Sequence, residues 1–355
     1  MNGGGVEAVV MNYYRHIDKN KVQFDFLIDS DSTLVPREEI ESLGGRVFEV
    51  PPYQHVIEYQ RELQRIFKQE GWRIVHSHIN ALSVFPLRAA KKAGVHVRIA
   101  HSHSTSGKGE YAKNALKAVL KTQSNRYPTH RFACSKFAGE WLFGDAAEFE
   151  VVYNAIDLDR FRFNAEARAQ ARADLGLVGN QFAIGHVGRF TAQKNHAFLI
   201  DVFTEVAKRR DDAVLLLVGT GEAGASVKAL VDERGLTDRV KFLGQRSDVN
   251  RLYQAFDAFV LPSLYEGLGL VGVEAQVSGL SCLLSDAITR EVDVTGDCKF
   301  LPIVDPDVWA DEIDSLSPCS YEDRMSISSG QFADYNIDLQ GNRLTRKYLD
   351  LYSRN

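Results

Sequence analysis

The chain is short of the features that mark several protein classes. No stretch of its 355 residues approaches the about 18 uninterrupted apolar residues that a spanning helix needs. No signal-like segment opens it, so the sequence-based expectation is a cytoplasmic protein. Cysteine is scarce: Cys134, Cys282, Cys298 and Cys319 show neither C-x-x-C spacing nor a Cys/His ligand pattern, so reduced thiols are expected rather than a disulfide frame or a zinc cluster. Strong net charge is lacking too, at −5, although the charge is segregated. Between Pro86 and Arg131 ten Lys and Arg face Glu110 alone, a net +9 that leaves −14 for the remainder. Segregation of this kind bears on partners rather than on fold. The basic stretch carries no nucleic-acid module and no interleaved aromatics, so binding to RNA or DNA is not expected.

What the chain does have is a rhythm. Strand-like and helix-like segments alternate: Val22–Ile28, Arg46–Val50, the helical Val56–Glu70, Arg73–Ser77, Leu82–Ala93, Val97–His101, Arg131–Ser135 and Glu150–Tyr153. The rhythm restarts at Ala183–Gly188 and runs to about Pro302. Alternation predicts parallel, doubly wound α/β sheets, and the length predicts two domains. We place them at 1–155 and 156–318, with a helical tail at 319–355 whose last helix lies near Gln340–Tyr352. The first Gly-rich loop, Met1-Asn-Gly-Gly4-Gly5, leads into a helical face of Val6, Val9, Val10, Tyr13, Tyr14 and Ile17. Such a loop normally follows a strand, so the first domain is expected to lack its first strand in this sequence.

One stretch organises the second domain. The apolar run Ala258–Leu261 reads as a buried strand and stops at Pro262, which has no N–H to extend a ladder. A glycine-punctuated turn follows, Pro262-Ser-Leu-Tyr-Glu-Gly-Leu-Gly269, and then a helical pattern from Leu270. Strand, Gly-rich loop and helix start together make a site for an anion such as a diphosphate. Glu266 in the loop and Glu274 in the helix, seven residues apart, offer acceptors suited to sugar hydroxyls. The plain alternative is a surface turn with two solvated glutamates.

This pattern resembles the nucleotide-sugar motif of the retaining glycosyltransferase family 4, and the chain looks like the branch that builds bacterial capsule and exopolysaccharide. The resemblance implies the GT-B fold, two Rossmann-like domains facing across a cleft. It implies that Glu266 contacts the donor sugar and Glu274 holds the ribose hydroxyls. Gly267, Gly269, Leu270 and Val271 then supply the backbone around the diphosphate. Gly188-Arg189-Phe-Thr-Ala-Gln-Lys194-Asn matches the family segment whose Arg and Lys neutralise that diphosphate and stabilise it as it leaves. The loops around Gly219–Gly221 and Gly244–Arg246 are implied to flank the nucleobase and ribose. On the acceptor side the resemblance implies Gly4, Gly5 and a histidine in His101-Ser-His103, with His103 favoured. His76-Ser-His78, one strand earlier, is expected to be polar strand-end residues only.

Other motifs compete. Gly219-Thr-Gly221-Glu-Ala-Gly224 is a literal G-x-G-x-x-G, but the next strand ends in Gly244-Gln-Arg246 rather than in the acid a dinucleotide ribose needs, so NAD is not expected. Asp29/Asp31, Asp157/Asp159 and Asp305/Asp307 are D-x-D pairs that read as turn formers rather than metal ligands. No metal or cofactor is expected, because Arg189 and Lys194 supply the cations. The expected partners are a nucleotide-sugar, UDP-linked by preference, and a lipid-linked or growing saccharide. Transfer would proceed by front-face attack with retention of the α-anomer. A GT-B sugar-nucleotide epimerase is the runner-up reading. Lys113, Lys117 and Lys121 stand at i, i+4 and i+8 within the basic 108–131 stretch, a stripe suited to an anionic surface on the inner face of the plasma membrane.

Overall fold

The computed structural model describes residues 5–103, 118–317, 320–328 and 330–354. The chain divides into two compact units. One holds the described residues up to Asp157 together with Asp334 onward, and the other holds Leu158–Ala333. Among the described residues no helix is long and apolar enough to cross a membrane.

The second unit carries six strands: β7 Phe182–Val187, β8 Ala213–Val218, β9 Val240–Gly244, β10 Ala258–Leu261, β11 Ser281–Ser285 and β12 Lys299–Leu301. They form one parallel sheet in the order β12-β11-β10-β7-β8-β9. Strands covered by helices on both faces are apolar along their length rather than alternating. Every residue of β7, β8 and β10 is accordingly buried. On one face Ile184, Leu215, Leu217 and Val260 share a core with Phe203 of the helix His196–Arg209 and Trp309 of the helix Pro306–Asp314. Asp305 caps that last helix by accepting from the Asp307 N–H, and Asp307 pairs with Arg209, so this D-x-D pair is spent on structure.

A buried charge holds the unit's outer helix. The helix Ala165–Asp174 is capped by Asn164 and presents Arg168 and Arg172 to Asp257 at 2.5 and 3.1 Å. Asp257 also accepts from the Ala183 N–H at 2.7 Å, and its side chain is 3% exposed. The residues after the helix Pro306–Asp314 stay with this unit as far as Ala333. Buried Arg324 donates to the carbonyls of Tyr253, Phe256 and Ser278, so only the segment from Asp334 departs, later than the expected boundary at 319.

The first unit has strands β1 Phe26–Asp29, β2 Val47–Val50, β3 Ile74–Ser77, β4 Val97–Ser102, β5 His130–Ala133 and β6 Glu150–Val151. They form two separate parallel sheets, β1-β2 and β3-β4-β5-β6, with no ladder between β1 and β3. The helix Val56–Glu70 ends on Gly71 in the left-handed region and packs its buried Tyr59, Leu63, Ile66 and Phe67 with Ala89 and Ala90 of the helix Val84–Ala93. The first helix, Gly5–His16, lies against the closing helix, Ile337–Ser353. Gly341 brings the latter so close to the His16 carbonyl that a Cβ there would sit 3.1 Å from its oxygen. Tyr13 Oη donates to the Tyr153 carbonyl at 2.6 Å, and Ile156 bridges Asn336.

Removing one partner of a buried ion pair leaves uncompensated charge and costs ~3–5 kcal/mol. Asp257→Ala strands two arginines at once, and we expect the second unit to lose stability by about that much in urea unfolding. A midpoint equal to the parent's would show that Arg168 and Arg172 find other acceptors.

Candidate active site

The site is assembled where β7 and β10 lie side by side. Their register pairs Ile184 with Ala258 and Gly185 with Phe259. Parallel neighbours end at the same edge of a sheet, so the loops that follow them meet. A crevice of this kind, at the place where strand order reverses, is where open α/β sheets bind ligands.

After β7 the chain runs through Gly188 and exposed Arg189 into a short 3-10 turn, Ala192–Lys194. After β10 it runs through Pro262 to Glu266. The two loops are joined by the Leu264 N–H on the Gln193 carbonyl at 2.8 Å and by the Gln193 amide on the Tyr265 carbonyl at 2.9 Å. Lys194 Nζ then meets Glu266 Oε1 at 2.6 Å, and Gln193 Nε2 donates to Glu266 Oε2 at 3.1 Å. Lysine has three donors, so Lys194 can bond a ligand while it holds Glu266. Gly188 is packed beneath the lysine stem, where a Cβ would lie 3.0 Å from Lys194 Cδ.

Gly269, in the left-handed region at φ 88°, starts the helix Leu270–Val277. Gln276 ties this helix down, donating to the Gly272 and Val292 carbonyls and accepting from the Val294 and Thr295 N–H groups. Partly buried Glu274 accepts from Tyr253 Oη at 2.9 Å, and the same hydroxyl reaches the Val271 carbonyl at 3.0 Å. Burial pushes the Glu274 carboxyl up to about 7, against the Tyr253 hydrogen bond and the Lys194 charge, which both lower it.

The glycines of the G-x-G-x-x-G stretch serve a different close approach. A Cβ on Gly219 would stand 2.1 Å from the Gly188 carbonyl oxygen, and one on Gly221 would stand 2.4 Å from that of Phe190. The Gly219 N–H donates to the Gly244 carbonyl at 2.8 Å, so the loops after β7, β8 and β9 are laced together by their backbones. Arg246 closes on Asp248 in a two-pronged pair at 2.7 and 2.6 Å. Gln193 lies inside the Gly188–Asn195 segment without a role of its own there, and Tyr253 and His196 carried no earlier signal. Gln193 and Tyr253 orient Glu266 and Glu274, and His196, beside His186, stacks on Phe190 at 4.0 Å. Burial and then the nearby Lys194 charge hold His196 down at about 4, neutral at ordinary pH.

In the first unit Gly5 begins the first helix, while Gly4, Lys113 and Lys117 lie outside the described residues. His101 and His103 are buried at the end of β4, their rings stacked at 4.0 Å, and the His103 N–H donates to Asn80 Oδ1. Lys121 lies over the Trp141 ring at 5.3 Å.

Residues 3–160 match the model described as Glycosyltransferase Family 4, and residues 167–330 match Glycosyl transferases group 1. The chain is 40% identical to the provisionally assigned glycosyltransferase EpsF of Bacillus subtilis (strain 168), over 88% of this chain and 84% of that one. The chain belongs to glycosyltransferase family 4. The glycosyltransferase is also 30% identical to the UDP-Gal:alpha-D-GlcNAc-diphosphoundecaprenol alpha-1,3-galactosyltransferase of Escherichia coli, over 63% of this chain and 60% of that protein. Its fold is GT-B. Anabaena HepE, solved in complex with UDP and glucose, superimposes with a TM-score of 0.80 at 18% identity over 98% of this chain and 96% of that one.

The raised Glu274 value gives the apo glycosyltransferase a signature. Its folded value, about 7, lies above the ordinary 4.5, so between them the folded chain holds a proton that the unfolded chain has released. This contribution to stability is full below 4.5 and is lost as pH rises through about 7. We expect the parent's Tm to fall from about pH 5 to about pH 8 more steeply than that of Glu274→Gln, which has no such proton to lose. Parallel slopes would place the Glu274 carboxylate in a solvated setting.

Proposed function

We propose that this glycosyltransferase transfers a hexose or N-acetylhexosamine from a UDP-sugar to a lipid-linked or growing saccharide of a bacterial surface polysaccharide, with retention at the anomeric carbon. The observation that carries the reading is the pairing of Lys194 with Glu266 at the shared edge of β7 and β10, beside a helix that starts on Gly269 and bears Glu274. HepE solved with UDP-glucose supports the donor class, and the E. coli relative named for a diphosphoundecaprenol-linked sugar supports the acceptor class.

The roles follow from the chemistry of the groups. Backbone N–H groups at Gly269, Leu270 and Val271 face a diphosphate. Arg189 and Lys194 meet the charge that develops on it as the glycosidic bond breaks, so a divalent metal is not needed for transfer. Glu266, held on one side by Lys194 and Gln193, turns its remaining lone pairs to donor-sugar hydroxyls. Glu274 takes the ribose hydroxyls as an acceptor, with Tyr253 fixing its other oxygen. His103, with His101 second, serves the acceptor side, and front-face attack lets the leaving phosphate take the acceptor proton.

Loss of a hydrogen bond to a charged group costs ~1.5–3 kcal/mol, more than about tenfold in binding or rate. We therefore expect Glu274→Ala to weaken UDP binding by more than about tenfold, and Glu266→Gln to bind UDP like the parent while transferring sugar more than about tenfold more slowly. The parent should transfer in EDTA without added Mg²⁺ or Mn²⁺. Thermal-shift screening against UDP-, GDP- and ADP-sugars identifies the donor, since a ligand at 100 times its Kd stabilises by ~2.7 kcal/mol. Parent-like binding and transfer by both variants would remove the glutamates from the site.

We further propose that the basic 108–131 stretch docks on an anionic membrane surface. Each lysine near such a surface contributes ~1 kcal/mol, so Lys113/Lys117/Lys121→Glu should reduce cosedimentation with phosphatidylserine vesicles by roughly two orders of magnitude while sparing UDP binding. Equal cosedimentation would leave the lysines as ordinary solvated residues.

A further inference from the structure

Four histidines gather in the first unit. His76-Ser-His78 ends β3 and His101-Ser-His103 ends β4. Alternate residues of a strand share a face. The register sets His76 against Ile99 and Ser77 against Ala100, which brings both pairs to the same face of neighbouring strands. The rings of His76 and His78 stack at 4.1 Å, and His76 and His101 lie 5.1 Å apart and nearly parallel. One ring nitrogen from each of His76, His78 and His101 falls within a sphere of 4.8 Å separations.

We propose that His76, His78 and His101 form a binding site for one Zn²⁺ ion. The hydrogen bonds decide which nitrogens are free for it. His76 Nδ1 lies 2.6 Å from Tyr348 Oη, and His78 Nδ1 lies 2.9 Å from His103 Nε2. Both rings thus turn Nε2 inward. His101 brings Nδ1 to 3.1 Å from His76 Nε2. Two imidazole nitrogens on a tetrahedral zinc, with bonds of about 2.0–2.1 Å, stand about 3.3 Å apart. The His76–His101 pair is already close to that spacing, and His78, with its nitrogen within 4.8 Å of both, has to turn its ring to join them.

The surroundings suit the ion. A ligating histidine commonly donates its outer N–H to an acceptor. Tyr348 Oη serves His76 and His103 Nε2 serves His78, while the outer Nε2 of His101 is buried with no partner among the described residues. The space beside them is walled by Val9, Val10, Tyr13, Val152 and Leu344, apolar groups and a phenol that offer no rival hard ligand. An all-imidazole set favours zinc or its first-row neighbours over Mg²⁺ and Mn²⁺. His76 and His78 keep partial exposure while His101 is 2% exposed, so the ion has a way in. Water fills the fourth position.

The full untagged chain, stripped with EDTA and dialysed, is titrated with Co²⁺ and then with Zn²⁺. We expect one equivalent of Co²⁺ with the intense visible bands of four-coordinate cobalt, displacement by one equivalent of Zn²⁺, and a higher Tm with either ion. His76→Gln and His78→Gln should lose the bands and the Tm rise. Tyr348→Phe, which keeps the ring in the core, should weaken Zn²⁺ affinity by about 10–100-fold. Absence of the bands at one equivalent in the parent overturns the site, as does parent-like binding by the histidine variants. If those variants do not fold, the parent titration and Tyr348→Phe decide. The readouts are independent of sugar transfer, so failure here leaves the donor-site assignment untouched.

Discussion

The parallel pairing of β7 with β10 is the contact on which the rest of the second unit depends. These strands are separated by more than seventy residues of chain, yet their backbones join at Ile184–Ala258 and Gly185–Phe259. The join requires Gly185, because a Cβ there would lie 2.1 Å from the Phe256 ring that packs over it. Once the pair forms, strand order runs outward in both directions, and the two loops that carry Lys194 and Glu266 leave the sheet at the same edge. The geometry of the candidate site is therefore a consequence of sheet topology, with Leu264, Gln193 and Tyr265 fastening what the strands bring close.

Three acids in this unit, Asp257 and Glu266 buried and Glu274 partly buried, show how the partner decides a carboxylate's character. Asp257 lies between two arginines and a backbone N–H, and Glu266 faces Lys194, so each is compensated by a full positive charge. Glu274 has only the Tyr253 hydroxyl and a more distant Lys194, and burial wins, raising it to about 7. The same physics governs the histidines. His186 and His196, near the loop after β7, meet each other and no acid, and burial holds both neutral.

The first unit reaches its core by a different route. Its strands form two sheets rather than one, and helices at opposite ends of the chain lie against each other near them, with Gly341 against His16 and Tyr13 on the Tyr153 carbonyl. Phe24 and Tyr348 meet edge-on at 5.7 Å beside the histidine cluster. Residues distant in sequence thus enclose the imidazoles, and the enclosure turns four polar strand ends into a ligand set.

Much of this was legible in the residues alone. Apolar patterning placed the helix Val56–Glu70 and the strand Ala258–Leu261 at their observed bounds, because period and length are local properties. The loop after Leu261 with Glu266, Gly269 and Glu274 was legible too, since a strand end, a left-handed glycine and a helix start lie within twelve residues. Folding decided what sequence spacing could not carry. Tyr253 has no motif and Gln193 sits in one without a role of its own, and they matter because β7 lies beside β10 and because the Tyr253 hydroxyl reaches Glu274. His76 and His78 read as polar strand ends until the register of β3 on β4 set them beside His101 and His103. Pattern along a chain encodes which segments are buried. Which buried groups face one another is set by strand order and by the closing helix, and those depend on contacts hundreds of residues apart.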